Sequence, residues 1–316
     1  MRLVMFGVFA VGALLAELPP PTFVRLQDGR ISLSSTTPGS VIRYSFEDKD
    51  PDRSTGVYLA PVMIPVGRTL RARAFSSDGA DQSQTLVIAA QIMPSTLVEV
   101  TQNRDWKNYD WVKRHEAILA LGKVRKPDLL FLGDSITHFF GGEPEDARLR
   151  GPLVWKKYYG SRNALNLGYG WDRTENVLWR LRHGEIDGLT PKVVVVMIGT
   201  NNAGINTSEE IATGIRAICS ELHTRLPTAK ILLLGIFPRG ATPNEARTKV
   251  MSVNELIAPL NGKDAVTYLD IGKVFLEPDG SILPEIMNDY LHPTEAGYER
   301  WAAAMEPTLQ RLLTGQ

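Results

Sequence analysis

Ser135 follows an apolar run and a glycine in Leu129-Leu130-Phe131-Leu132-Gly133-Asp134-Ser135, and Asp289 and His292 stand three residues apart late in the chain. A serine hydroxyl is a weak nucleophile until a base takes its proton, and a carboxylate that orients the base completes the set. Asp289 and His292 on one tight turn can join through the carboxylate and the imidazole Nδ1, which leaves Nε2 for Ser135. Acyl transfer also needs donors for the oxyanion. The Ser135 amide, at a helix start, offers one, and the Asn201 side chain in Gly199-Thr200-Asn201-Asn202 offers another. A Gly-Asp-Ser triplet alone is equally an ordinary turn, so its weight comes from these partners.

The elements that must position them alternate. Residues 129–132, 193–198 and 231–236 are apolar runs, 193–198 unbroken and β-branched, and 164–167 and 266–269 are two shorter ones with a single polar residue each, which is how strands of a buried parallel sheet read. Helical patterns lie between them. Thr207-x-x-Glu210 predicts a capping box ahead of the stripe Ile211, Ile215, Ile218, Leu222 and Leu226, and further helices are predicted over 245–260 and 294–313. Strands alternating with helices imply a five-stranded parallel sheet covered on both faces. Ser135, the stretch Gly168-Tyr169-Gly170-Trp171-Asp172 and Gly199-Thr200-Asn201 each follow a strand, so the chemistry converges on one sheet edge.

Residues 22–92 differ in pattern. Ile31, Leu33, Val41, Ile42, Tyr44, Phe46, Leu70, Ala72, Ala74 and Val87 lie on the apolar phase of a period-two pattern, broken by turn signals at Asp28-Gly29, Thr37-Pro38-Gly39, Asp50-Pro51 and Asp78-Gly79. This predicts a small all-β sandwich. Residues 93–104 read as a linker, and 105–316 as the catalytic domain. The acidic loop from Glu47 to Asp52 reads as a solvated turn, because lysine and proline interrupt it and no glutamate closes it as a calcium loop requires. At the start, Met1-Arg2 precedes apolar or glycine residues 3–16, and Glu17 with Pro19-Pro20-Pro21 ends the run. Residues 1–21 therefore resemble a secretory signal peptide with its junction, the run being short for a span of ~20 residues, and export to periplasm, cell surface or medium is expected. An uncleaved anchor and a buried first element are the other readings.

In the 316 residues, 35 basic and 35 acidic side chains cancel. No net field draws the protein to nucleic acid or to an anionic membrane, and neither partner is expected, nor is stable membrane insertion. The single cysteine, Cys219, has no internal partner and reads as a small buried hydrophobe. His115, His138, His183 and His223 show no ligand spacing, so they read as packing or surface residues and no metal or other cofactor is expected. Tyr169, Trp171 and Tyr290 lie beside the predicted site and are candidate substrate contacts, for a sugar ring or for an apolar ester.

The set Gly133-Asp134-Ser135, Gly168, Gly199-Thr200-Asn201 and Asp289-x-x-His292 resembles the four blocks of the SGNH, or GDSL, hydrolases. Leu165-Asn166-Leu167-Gly168, Val177-Leu178-Trp179-Arg180-Leu181 and Pro238-Arg239-Gly240 resemble the catalytic subunits of platelet-activating-factor acetylhydrolase and their bacterial relatives. Gly39 to Ser45, Tyr58-x-x-Pro61 and Thr69 to Ala74 resemble the immunoglobulin-like domain appended to chitobiases and β-hexosaminidases. The first resemblance implies a flavodoxin-like three-layer α/β/α fold, no metal, and hydrolysis of short acyl esters by Ser135, His292 and Asp289 with Asn201 as an oxyanion donor. One block departs from the pattern. The glycine whose amide completes the oxyanion hole aligns with Trp171, where a positive φ is costly, which leaves Gly170 or Trp171 as the second backbone donor. The function expected is a serine ester hydrolase that removes acetyl or other short acyl groups, from a carbohydrate in view of the leader and the β-domain. The alternatives are a phospholipid short-acyl hydrolase and a catalytically silent glycan-binding protein, and a homodimer is compatible with each.

Overall fold

The computed structural model describes residues 17–26, 30–65, 68–89 and 93–315, so the predicted leader lies outside the described residues up to Ala16. The chain forms two compact units, Met1–Met93 and Pro94–Gln316.

In the smaller unit, β1 (Thr22–Arg25) pairs antiparallel with β2 (Ile31–Ser34), and β3 (Val41–Ser45), β4 (Thr69–Phe75) and β5 (Leu86–Ala89) make a three-stranded antiparallel sheet. The period-two residues Ile31, Leu33, Ile42, Leu70 and Ala72 form its core with Ile64 and Ile88, whereas Val87, expected on the apolar phase, is exposed because β5 turns the neighbouring Ile88 inward. The acidic loop is occupied by this sheet's own cations. Arg71 Nη1 and Arg73 Nη2 donate to the Asp50 carboxylate at 3.1 and 2.6 Å, and Arg71 Nη2 reaches Asp48 at 2.6 Å.

The larger unit is built on β6 (Leu129–Gly133), β7 (Ala164–Gly168), β8 (Val193–Met197), β9 (Lys230–Leu234) and β10 (Val266–Leu269), all parallel, in the order β7-β6-β8-β9-β10. Alternate residues face opposite layers. Leu130, Leu132, Leu165, Leu167, Val194 and Val196 pack beneath α1 (Trp111–Arg125), α4 (Thr174–Arg180), α5 (Ser208–Arg225) and α6 (Glu245–Ile257). Leu129, Phe131, Val193, Val195 and Met197 face α3 (Pro152–Tyr159) and α7 (Glu295–Thr314), where Trp155, Tyr159, Tyr298 and Trp301 complete an aromatic core. This is the expected three-layer arrangement. The capping box forms at α5, where Thr207 Oγ1 accepts from Glu210 N at 3.2 Å and Glu210 Oε2 accepts from Thr207 N at 3.0 Å. Cys219 is buried in α5, and burial pushes its thiol up to about 12, an inert state.

The linker expectation is corrected. Residues 94–104 pack on the larger unit: Thr96 Oγ1 donates to Glu210 O at 2.9 Å, Asn176 Nδ2 to Val100 O at 2.8 Å, and Gln102 Nε2 to Asp172 Oδ1 at 3.1 Å. Composition does not reveal this, because the partners come from distant helices and loops. No helix among the described residues is long and apolar enough to cross a membrane.

Candidate active site

β6 and β8 are neighbours, whereas β7, second in the chain, lies outside β6, so the strand order reverses at β6. Ligands of open α/β sheets collect at the carboxyl ends of strands beside such a reversal. Ser135 opens the single-turn helix α2 (Ser135–His138) directly after β6, with Asp134 as its cap, since Asp134 Oδ1 accepts from Ile136 N at 2.9 Å. Gly133 and Gly168 face each other across β6 and β7. A Cβ at Gly168 would sit 2.2 Å from His138 N, so only glycine lets α2 lie against β7.

The triad residues meet. His292 Nε2 lies 2.8 Å from Ser135 Oγ, and His292 Nδ1 lies 2.9 Å from Asp289 Oδ2. Asp289 Oδ1 accepts from the amides of Leu291 and His292 at 3.1 and 2.8 Å, which fixes the carboxylate on its own turn. With Nδ1 donating to a carboxylate, Nε2 is the acceptor for the serine proton. Burial opposes ionisation of Asp289, but the His292 N–H groups and Arg150 outweigh it and hold the acid at about 2. Burial also disfavours the charged imidazole. His292 is lowered from 6.5, because desolvation, aided by Arg150 and Arg239, exceeds the pull of Asp289. The loss of water around the imidazole thus outweighs the neighbouring carboxylate.

The hydrogen bonds of the loop after β7 distinguish the two candidate backbone donors. Gly168 N donates to Asn166 Oδ1, Tyr169 N to Gly133 O, Gly170 N to His138 Nδ1 and Asp172 N to Tyr169 O. Its carbonyls are taken as well: Arg114 donates to Gly168 O, Gln102 and Tyr109 to Gly170 O, Arg104 to Trp171 O, and Asn201 Nδ2 to Asp172 O at 2.9 Å. The one backbone donor of 168–172 left without a partner among the described residues is Trp171 N–H. Trp171 adopts φ +66°, the left-handed conformation the sequence makes expensive. Gly170 is not free to take that role, since its N–H is committed to His138 at 3.1 Å. A loop with every other group satisfied holds the strain in place.

Asn201 follows β8 on a 3-10 turn, Thr200–Asn202, which Gly199 enters at φ +124°. One amide hydrogen of Asn201 is spent on Asp172 O, so the second is aimed by the loop rather than by solvent. Thr200 serves the scaffold, its carbonyl and hydroxyl both accepting from Arg239 Nη1 at 3.0 Å. Asp134 is fully buried, and burial, reinforced by Asp172, pushes it up to about 7.

Of the candidate substrate contacts, Tyr169 is corrected. It is fully buried, its hydroxyl donates to Glu185 Oε1 at 2.7 Å, and Arg180 lies 3.9 Å from its ring centroid. Arg180 in turn pairs with the buried Asp172 at 2.8 Å and with Glu185, so the floor under the loop is an ion network. Trp171 is 51% exposed and stays available. Tyr290, at φ +57°, packs its half-buried ring against the core, and its carbonyl accepts from Gly240 N at 2.8 Å.

Two functional neighbours escape sequence reasoning. Arg150 Nη2 lies 3.1 Å from Asp289 Oδ2, and its guanidinium stands over Phe139, whose ring is 5.1 Å from that of His292. No local spacing links Arg150 to the triad. His138, read only as packing or surface, holds Gly170 N–H, and its Nε2 faces Asp146 Oδ2 at 3.2 Å. Burial lowers it to about 4, so the ring is neutral and its acceptor nitrogen is kept. Its place one turn after Ser135 is the only available signal. Among the described residues no group of three or more His, Cys, Asp or Glu could hold a metal ion.

A parallel α/β sheet with a serine at the end of β6, met by a histidine and an aspartate from the turn before α7, has the arrangement that serine-type hydrolases use. The chain matches the GDSL-like lipase/acylhydrolase family over residues 131–300, and it belongs to that family as a carboxylic ester hydrolase. Residues 31–87 match the Fn3-associated family. The chain is similar to the platelet-activating factor acetylhydrolase IB subunit alpha1 of Bos taurus, at 38% identity over 205 residues that cover 65% of this chain and 84% of the relative. It is similar also to subunit alpha2 of Rattus norvegicus, at 39% identity over 204 residues, 64% of this chain and 85% of the relative. Among solved structures, a GDSL-like lipase from Bacteroides thetaiotaomicron superposes with a TM-score of 0.51 at 17% identity, over 63% of this chain and 97% of that one, which is a likeness of fold.

Proposed function

We propose that this enzyme removes acetyl or similarly short acyl groups from a carbohydrate through an acyl-enzyme on Ser135, and that it acts outside the cytoplasm. The observation that carries the chemistry is the continuous chain Ser135 Oγ, His292 Nε2, His292 Nδ1, Asp289 Oδ2, on the sheet edge that also carries the Trp171 N–H, which has no partner among the described residues. Ser135 Oγ attacks the ester carbonyl carbon while His292 Nε2 takes its proton. The negative charge that develops on the carbonyl oxygen meets the amides of Ser135 and Trp171 and the second amide hydrogen of Asn201. Collapse breaks the bond to the alcohol oxygen, which receives the proton from His292. Water then repeats the sequence on the acyl-enzyme, giving its proton to His292 and releasing the acid and free Ser135. Asp289, ionised throughout, stabilises the imidazolium and fixes its tautomer.

The short acyl group is supported by the acetylhydrolase subunits to which the chain is similar. A half-exposed indole at the oxyanion loop supports a sugar ring as the alcohol, since flat apolar sugar faces stack on such surfaces. The leader-like residues 1–21 support export, and sequencing the amino terminus of the protein recovered from its native host tests it. A series of p-nitrophenyl esters of increasing chain length, run beside acetylated oligosaccharides and short-acyl phospholipid and scored for released acid, tests the reaction. Rates that rise with chain length, or acetate released faster from the lipid than from every saccharide, would refute the proposal.

A further inference from the structure

Three guanidinium groups border the two loops that carry the oxyanion donors. Arg104 Nη2 donates to Trp171 O at 3.0 Å and to Asn176 Oδ1 at 2.5 Å, and Arg173 N donates to that same Oδ1 at 2.9 Å. Arg173 Nε donates to Asn201 O at 3.1 Å, and Arg239 holds the adjacent Thr200 O. The three therefore follow one continuous rim from Trp171 to Thr200. Arg239 is near enough to His292 to disfavour its charged form.

These charges are poorly compensated. Among the described residues, neither Arg104 nor Arg239 forms an ion pair with a carboxylate, and the one partner of Arg173 is Glu175 at 4.0 Å. The acids nearest Arg104 are committed elsewhere. Asp172 is buried under Arg180, Trp111 Nε1 and Gln102, and Glu175 is buried, accepting from Asn202 and Thr174. Each of these guanidinium groups retains N–H donors that no group of the described residues uses. Trp171 stands half exposed among them.

We propose that this rim is an anion subsite, and that the preferred substrate is an O-acylated acidic sugar whose carboxylate pairs with Arg104, Arg173 or Arg239 while its ring lies on Trp171. The inference rests on the ester-hydrolase reading above and specifies the alcohol. Charge-assisted bonds from a guanidinium fork to a carboxylate are strong and directional, and the indole supplies the flat apolar face that a pyranose ring needs. An anionic phospholipid would need a broad apolar surface beside the charges, and the oxyanion loop offers only a single indole.

The test compares kcat/KM for an O-acetylated methyl glucuronoside and for its methyl ester, which share the acetyl group and the ring and differ in one charge. The acid is expected to be favoured by about tenfold or more at low ionic strength, the order a charge-assisted pair supplies, with the ratio falling as sodium chloride is added. Arg173→Met is expected to bring the ratio toward one. Because the ratio is internal to each protein, a general loss of activity in the variant does not mimic this result. If Arg173→Met fails to fold, competitive inhibition of wild-type p-nitrophenyl acetate hydrolysis by glucuronate, set against methyl glucuronate, gives the same comparison. Equal rates on acid and ester would overturn the subsite, as would a ratio that Arg173→Met, Arg104→Met and Arg239→Met all leave unchanged, which would make the arginines braces for the loop carbonyls. Faster turnover of short-acyl anionic phospholipid in vesicles than of the acidic sugar would overturn it in favour of a lipid. Failure to hydrolyse any ester would sink the esterase reading itself, a different outcome from hydrolysis without charge preference.

Discussion

Trp171→Gly and Trp171→Ala both delete the indole and keep the backbone N–H, so they differ by a single methyl group at φ +66°. A non-glycine residue in the left-handed region costs about 1–2 kcal/mol, which glycine avoids. Glycine loses more chain entropy on folding, about 0.4–1 kcal/mol against alanine. The difference leaves the glycine variant more stable by about 1 kcal/mol, or roughly 2–4 °C in Tm for a unit of this size. Calorimetry on the two variants reads that order, whatever the loss of the indole costs both. Steady-state kinetics on p-nitrophenyl acetate adds the functional half. If the Trp171 amide is an oxyanion donor held by the surrounding hydrogen bonds, kcat should stay within about threefold of wild type in both, since no donor is removed. An alanine variant as stable as the glycine one would refute the strain argument. A hundredfold fall in kcat in both would show that the indole, and not the bonded frame around it, positions the amide.

Ser135→Ala should lower ester hydrolysis by at least about a thousandfold with Tm nearly unchanged, because the hydroxyl has His292 as its one hydrogen-bond partner among the described residues and starts every turnover; residual activity within tenfold of wild type would remove Ser135 as the nucleophile. Asn201→Ala should cost about a hundred- to thousandfold in kcat with KM steady, measured on p-nitrophenyl acetate, as for other oxyanion donors. The rate should rise with pH as His292 loses its proton, and since burial lowers the imidazole from 6.5, the midpoint of that limb should fall below 6.5; a limb centred above 7 would mean that Asp289 wins after all. Residues 94–316, which carry their own core, should keep the rate on p-nitrophenyl acetate when expressed alone and lose rate only on polymeric substrate, a result checked by acetate release from both.

The layered fold was legible in the order of the amino acids. Five apolar runs alternating with amphipathic helices call for a parallel sheet covered on both faces, and the glycines, caps and polar clusters at their ends put Ser135, Asn201 and the residues 168–172 on one edge. The triad pair was legible as well, because Asp289 and His292 are close in the chain and their meeting is local geometry. What the sequence left open was the second backbone donor. Local rules make φ +66° expensive for tryptophan, and they point to Gly170; the fold reverses that choice because His138 takes the Gly170 amide, while Gln102, Tyr109 and Arg104 hold the carbonyls of Gly170 and Trp171, and the Trp171 amide is left without a partner among the described residues. Those partners come from α2 and from the stretch before α1, none of them within reach along the chain. The same holds for the imidazole. A neighbouring carboxylate predicts a raised value, whereas burial beside Arg150 and Arg239 lowers it, and only the tertiary structure sets how much water a side chain loses and which distant charges stand around it.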